Sequence, residues 1–216
     1  MLPRQRRQIL LAEIATVLDV GANAGQYARW LRREVGFAGR IISFEPVREV
    51  YDHLALAAAD DDAWDCHRTA LGERSGQLEI TVTQESEFSS ALVPAPHVVG
   101  HWPGAAARAT ELVPVTTLAE IWPDLGCVGR VFLKVDVEGY ELAVLRGAGA
   151  VLSGVSLIEL EISVAPNFRG GPGLAEVLHA LDEAGFDLVA LEQNHGDLED
   201  GQMLMVDGVF RNRREL

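Results

Sequence analysis

The stretch VLDVGANAGQY (17–27) sets Asp19, Gly21, Asn23 and Gly25 at alternate positions, directly after an apolar run. Small residues let backbone N–H groups come close to a ligand, and Asn is among the few side chains that tolerate positive φ. Further on, Glu45 closes the run IISFE. A carboxylate there can accept from both hydroxyls of a ribose, each bond worth about 1.5–3 kcal/mol, and it would reject a 2′-phosphate. Two later stretches carry more charge. Period-two counting on VFLKVDVEG (131–139) puts Phe132, Lys134, Asp136 and Glu138 on one face. In SLIELEIS (156–163) it groups Glu159, Glu161 and Ser163. Central parallel strands normally read apolar on both faces. Burying unpaired ions costs several kcal/mol per ion. These groups must therefore pair with one another, hold a cation, or line a cleft at the strands' C-terminal ends.

The elements that position them alternate strand-like and helix-like, which predicts an α/β domain with a mainly parallel sheet. A buried-type strand at 15–20 is followed by a helix over 26–35, with Tyr27, Trp30, Leu31 and Val35 on one face. A strand at 40–45, a helix at 47–59 and a third strand at 64–71 complete a β-α-β-α-β start. Residues 77–83 alternate like an added antiparallel strand. Residues 84–114 show no sustained period, and a loop that long is read as an active-site cover. A short strand and a helix capped by Thr116 or Thr117 come next. The strand at 131–139, a helix at 140–152, the strand at 156–163 and a helix stopped by Gly185 follow. A terminal antiparallel strand pair closes the chain.

At 216 residues, a single domain over 1–216 is the simplest organisation. Cys66 and Cys127 are the two cysteines, with no CxxC pair, so a reducing cytoplasm is the default compartment. A net charge of −14 disfavours a polyphosphate partner, so no nucleic-acid substrate is expected. No apolar run approaches the ~18–20 residues of a membrane span. The N-terminal MLPRQRRQILLAEIA reads as a first helix or arm rather than a signal peptide. His97 and His101 stand four apart, but Pro94, Pro96 and Pro103 argue against a helix that would align them as ligands.

The blocks VLDVGANAGQY, ISFEP, TALG, FSSAL, TTL, FLKVDVEGYELAVLRGA and LIELEIS, in that order over residues 15–190, resemble the FkbM family of methyltransferases. The resemblance implies a Rossmann-like class I methyltransferase sheet with helices on both faces, S-adenosylmethionine as donor and a hydroxyl oxygen as acceptor. It also implies acceptors such as natural-product macrolides and the sugars of glycolipids or polysaccharides. Carried over by position, Asp19, Gly21, Asn23, Gly25 and Tyr27 form the donor corner. Glu45 and Pro46 hold ribose and adenosine. Thr69, Ala70 and Leu71 lie near the adenine, and Ser89 and Ser90 reach the donor from the cover. Lys134, Asp136, Glu138 and Glu161 meet donor and acceptor.

On this reading Asp136 is the first candidate for general base, Glu161 the second, and Lys134 an electrostatic support. Asp136, Glu138 and Glu161 could alternatively hold Mg²⁺, an ion that prefers oxygen ligands. The rival reading is an NAD-dependent dehydrogenase or epimerase; the missing GxGxxG and Tyr-x-x-x-Lys stand against it. The acceptor is expected to be a small sugar-like molecule, and a homodimer is compatible with the sequence.

Overall fold

The computed structural model describes residues 13–165, 167–196 and 201–215. The expected N-terminal arm falls outside them up to residue 12. Seven strands form the main sheet: β1 (Ile14–Val20), β2 (Arg40–Phe44), β3 (Trp64–His67), β7 (Arg130–Val135), β8 (Leu157–Ser163), β9 (Phe186–Gly196) and β10 (Met203–Asn212). Their order is β3-β2-β1-β7-β8-β10-β9. The first five run parallel, while β10 is antiparallel to both β8 and β9, the expected terminal pair.

Helices cover both faces because the central strands are apolar on both over most of their length, with Asp19, Lys134, Glu159 and Glu161 as charged exceptions. On one face Leu18, Ile42, Leu133 and Ile158 pack with Leu142, Val144 and Leu145 of α5 (Glu141–Ala148) and with Val177 and Leu181 of α6 (Leu174–Glu183). On the other, Val17, Ile41, Phe132 and Leu157 meet Ala28 of α1 (Gln26–Trp30) and Leu54 of α2 (Arg48–Ala58).

Several predicted boundaries change. The helix expected over 26–35 is α-helical only to Trp30 and continues as one π-turn over Leu31–Val35. The run 64–71 is two strands. Phe44 pairs with His67, and β2 ends there, so no ladder remains for the following residues. The chain instead forms β4 (Ala70–Leu71) in a separate sheet of order β4-β6-β5, with β5 at Gly76–Thr83 and β6 at Ala107–Thr116. Residues 84–114 are therefore not an irregular loop throughout, since β6 begins at Ala107 and pairs with β5 over almost its whole length. Between these strands lies α3 (Pro96–His101), with Pro96 at its first position, where a missing N–H costs nothing. His101 Nδ1 sits 3.0 Å from the His97 carbonyl, and His97 Nε2 lies 3.2 Å from Asn167 Oδ1. The helix the prolines seemed to forbid thus exists. Thr117 caps α4 (Leu118–Ile121) as expected, its Oγ1 accepting from Glu120 N at 3.1 Å. The helix expected over 140–152 ends at Ala148 and tightens into a 3₁₀ turn.

Candidate active site

At the C-terminal end of β1 the chain turns through Gly21 (φ 76°), Asn23 (φ 47°) and Gly25 (φ 81°). A Cβ on Gly21 would lie 1.8 Å from the Asp136 carbonyl oxygen, and one on Gly25 would lie 2.8 Å from the Trp64 ring. At these two positions the corner is bare because chain and core cross it, whatever else approaches. Asn23 Oδ1 accepts from Ala24 N at 2.7 Å and from Ser86 Oγ at 3.1 Å.

Asp19 is fully buried and lines neither cleft described below. Its Oδ1 is 3.3 Å from Lys134 Nζ, and its Oδ2 accepts from Ser43 Oγ at 3.4 Å. Burial pushes its carboxyl above the ordinary value although Lys134 pulls it down. Asp19, which the sequence assigned to the donor corner, thus makes its contact here with Lys134. Burial works against the Lys134 charge, but Asp136 and Asp19 more than offset it and hold the ammonium above its usual range. Lys134 also donates to the Gly21 carbonyl at 3.3 Å, and its Nζ is 3.2 Å from Asp136 Oδ2.

Glu45 is buried at the end of β2. Its Oε1 accepts from Val47 N at 2.9 Å and its Oε2 from Asn23 N at 3.1 Å. Burial outweighs these bonds and raises its carboxyl to about 7. Glu45 and Pro46 line a first cleft together with Gly21, Asn23, Thr69, Ala70 and Leu71. Ser89 and Ser90 line it from the segment after β5. That segment is pinned over the cleft: Ser90 Oγ donates to the Glu138 carbonyl at 2.6 Å, and Thr83 N donates to Ser89 Oγ at 3.2 Å.

A second cleft adjoins the first. Tyr27 and Trp30 of α1, Phe88 and Trp102 of the covering segment, and Lys134 and Glu161 line it. Gly21, Asn23, Glu87, Asp136 and Glu138 line both. Tyr27 therefore faces this cleft rather than the first. Burial and the nearby Glu159 carboxylate push its phenol well up.

The strand expected to continue to residue 139 stops at Val135. Asp136 N makes the last ladder-like bond, to the Val20 carbonyl at 3.0 Å. The turn that follows puts Glu138 at φ 54° and Gly139 at φ 90°. Asp136, Glu138 and Glu161 nevertheless converge: one oxygen from each lies within 4.8 Å of the others. Burial, then the charge of Asp136, pushes both Glu138 and Glu161 well up. Glu138 is 8% exposed, and its Oε2 has no hydrogen-bond partner among the described residues.

One residue that shapes this turn escaped the sequence reading. Glu141 Oε1 accepts from Val137 N at 3.2 Å and Gly139 N at 3.0 Å, tying down both amides that flank Glu138. The signal was there: an acidic residue opening a helix just after a glycine turn can fold back onto preceding N–H groups. Ser86 and Glu87 also went unread, and no local pattern marks them.

This sheet order, with two clefts meeting at the C-terminal strand ends, is the Rossmann-like fold of class I methyltransferases. Against solved structures, the chain aligns over 98% of its length with 73% of a Streptococcus pneumoniae protein named for a proposed tRNA (m1A22) methyltransferase activity and crystallised with S-adenosyl-L-methionine (TM-score 0.51, 14% identity). A protein of the NADB-Rossmann superfamily from Streptococcus agalactiae aligns similarly, over 98% of this chain and 69% of that one (TM-score 0.52, 11% identity). At such identities the likeness shows the fold. Methyltransferase sdnD of Sordaria araneosa is 29% identical over 154 residues, 61% of this chain and 59% of that protein. The chain thus spans less than two thirds of that relative's length. The FkbM methyltransferase domain matches residues 19–188, and the chain belongs to that family. Membership of a methyltransferase family stands against the dehydrogenase reading. Among the described residues, no helix is long and apolar enough to cross a membrane.

Proposed function

We propose that the protein O-methylates a hydroxyl of a small, sugar-like acceptor, with Asp136 as general base. The observation that carries this reading is that Asp136 and Glu138 line both clefts, so one wall serves donor and acceptor. The first cleft suits the donor: Glu45 is held by two backbone amides with its remaining lone pairs available to ribose hydroxyls, and Ala70 and Leu71 offer an apolar floor for a purine. When bound, the donor supplies a methyl on a sulfonium, electrophilic without further activation. Asp136 accepts the hydroxyl proton as the acceptor oxygen takes the methyl. Lys134, flanked by Asp19 and Asp136, orients Asp136. Glu161, pushed up by burial, is less suited to accept a proton at neutral pH.

A second reading adds Mg²⁺, supported by the convergence of Asp136, Glu138 and Glu161. These oxygens suit a hard cation, which would relieve their mutual repulsion and lower the acceptor pKa. The test is calorimetric titration with S-adenosylhomocysteine, followed by methyl transfer to a panel of sugars, glycolipids and macrolide alcohols, with and without EDTA. Donor binding with transfer to a hydroxyl supports the main reading, and transfer only to nitrogen sinks it. Full activity in EDTA removes the metal.

A further inference from the structure

The two clefts share a wall whose charge is one-sided. Gly21, Asn23, Glu87, Asp136 and Glu138 line both, so every charged member of that wall is acidic. The first cleft adds Glu45 and the second adds Glu161. Among the described residues, no lysine or arginine lines the first cleft. In the second the cation is Lys134, already engaged by Asp19 at 3.3 Å and by Asp136 at 3.2 Å.

Glu138 stands out within this wall. It is nine-tenths buried, and its Oε2 is without a hydrogen-bond partner among the described residues. Its backbone is fixed on every side. Glu141 Oε1 accepts from the amides of Val137 and Gly139, and Ser90 Oγ donates to the Glu138 carbonyl at 2.6 Å. The side chain therefore faces the clefts because the fold holds it there, although a buried carboxyl oxygen with no donor is unfavourable. A positive group arriving in the cleft would satisfy it.

The reaction dictates where such a group falls. A methyl that leaves a donor in the first cleft for an acceptor in the second must cross their common wall. The sulfonium that carries it thus stands beside Glu138, Asp136 and Glu87. In the transfer the acceptor oxygen forms its bond to the methyl carbon, and the sulfur keeps the electron pair of the broken S–C bond. What remains is a neutral thioether.

Resting on the methyltransferase reading, we propose that the shared wall discriminates by charge: Glu138, backed by Asp136 and Glu87, holds the cationic donor and lets its neutral product go. Opposite charges a few ångströms apart attract strongly at the lowered dielectric of a half-closed cleft. The thioether forfeits that attraction and leaves Glu138 Oε2 unsatisfied again. Product release is then favoured by the chemistry itself, and S-adenosylhomocysteine inhibits weakly.

Calorimetric titration in EDTA, which keeps divalent ions off the carboxylates, tests this with three ligands. They are S-adenosylmethionine, S-adenosylhomocysteine, and sinefungin, which has a protonated amine in place of the methylsulfonium. Both cationic ligands should bind the wild type at least tenfold more tightly than S-adenosylhomocysteine. In Glu138→Gln that ratio should fall at least fivefold through weaker binding of the cations, with S-adenosylhomocysteine affinity kept within threefold. Glu87→Gln, on an exposed side chain where a change costs little stability, should lower the ratio about threefold. It carries the comparison should Glu138→Gln not fold. Three results overturn the proposal: S-adenosylhomocysteine binds the wild type as tightly as the cations, the ratio is unchanged in whichever variants fold, or Glu138→Gln weakens all three ligands in parallel. If none of the three binds the wild type, the methyltransferase reading itself fails instead.

Discussion

Lys134 and Asp19 stand in register on neighbouring parallel strands, Nζ 3.3 Å from Oδ1, and both are buried. Beyond the strand end the same ammonium meets Asp136, at 3.2 Å. One buried cation thus links the interior of the sheet to the group proposed as base. Removing it should strand Asp19 in the core, and uncompensated buried charges of this kind cost about 3–5 kcal/mol. Lys134→Met should lower stability by that order in urea denaturation, and adding Asp19→Leu should recover much of it. A loss below about 1 kcal/mol would show that Asp19 is content without its partner.

Asp136→Asn retains the size of the side chain but not its basicity. A general base contributes roughly 10²–10⁴-fold, so kcat should fall by that factor. S-adenosylhomocysteine affinity should move only a few-fold. Unchanged kcat would place the base elsewhere.

Glu45→Ala deletes the acceptor of both Asn23 N and Val47 N and the proposed ribose contact. Charge-assisted bonds of about 1.5–3 kcal/mol each imply at least a tenfold loss of S-adenosylhomocysteine affinity by calorimetry. Glu45→Gln, which keeps one acceptor oxygen, should fall between the two. Equal affinities in all three proteins would remove Glu45 from the donor site.

Stability should depend on pH in an unusual direction. Burial, then Asp207, raises the Glu159 carboxyl to about 8, and burial raises Glu45 and Glu141 to about 7. An unfolded glutamate titrates near ~4.3. Between those values the folded state holds more protons than the unfolded one, so the slope of unfolding free energy with pH is negative. The contribution is full below about pH 4.3 and is lost as pH rises through the folded values. The urea midpoint should therefore fall between pH 5 and about 8, and Glu159→Gln should flatten the upper part of that fall. A midpoint rising across this window would contradict the buried-carboxyl account.

Gly21 and Gly36 separate two reasons for glycine. Both lie in the left-handed region, at φ 76° and 73°. Around Gly36 a Cβ meets nothing within 4 Å among the described residues, whereas at Gly21 it would collide with the Asp136 carbonyl at 1.8 Å. Gly36→Ala should cost about 1–2 kcal/mol, the penalty of the conformation alone. Gly21→Ala should cost several-fold more and abolish donor binding, because either β1 or the Asp136 turn must shift. Similar losses in the two variants would mean the crossing yields easily.

Much of the sheet could be read from the sequence, because hydrophobic period and glycine punctuation are local. The runs ending at Val20 and Phe44 are apolar on both faces and became central parallel strands. The alternation in 77–83 became β5. The Thr117 cap and the Gly185 stop were set by the residues on the spot. Misreadings arose where a distant partner decides. Nothing local says that Ala70 leaves its neighbour His67 to pair with Val115, or that residues 107–110 extend β6 along β5.

The site divides along the same line. Residue types and spacing alone determined that these carboxylates and one lysine would have to pair, hold a cation or line a cleft at the strand ends, since an ion on a buried strand has few other places to go. Tertiary structure decided which of them touch. Asp19 lies buried within central β1, paired with Lys134. Glu138 is swung by a left-handed turn, with Glu141 pinning the amides on either side of it, into reach of Glu161 on the next strand. Trp102 arrives from a segment with no period to announce it. Period-two counting fixes a face only while the strand lasts, and it lasts to Val135; beyond that, crossing chains and backbone hydrogen bonds set each direction.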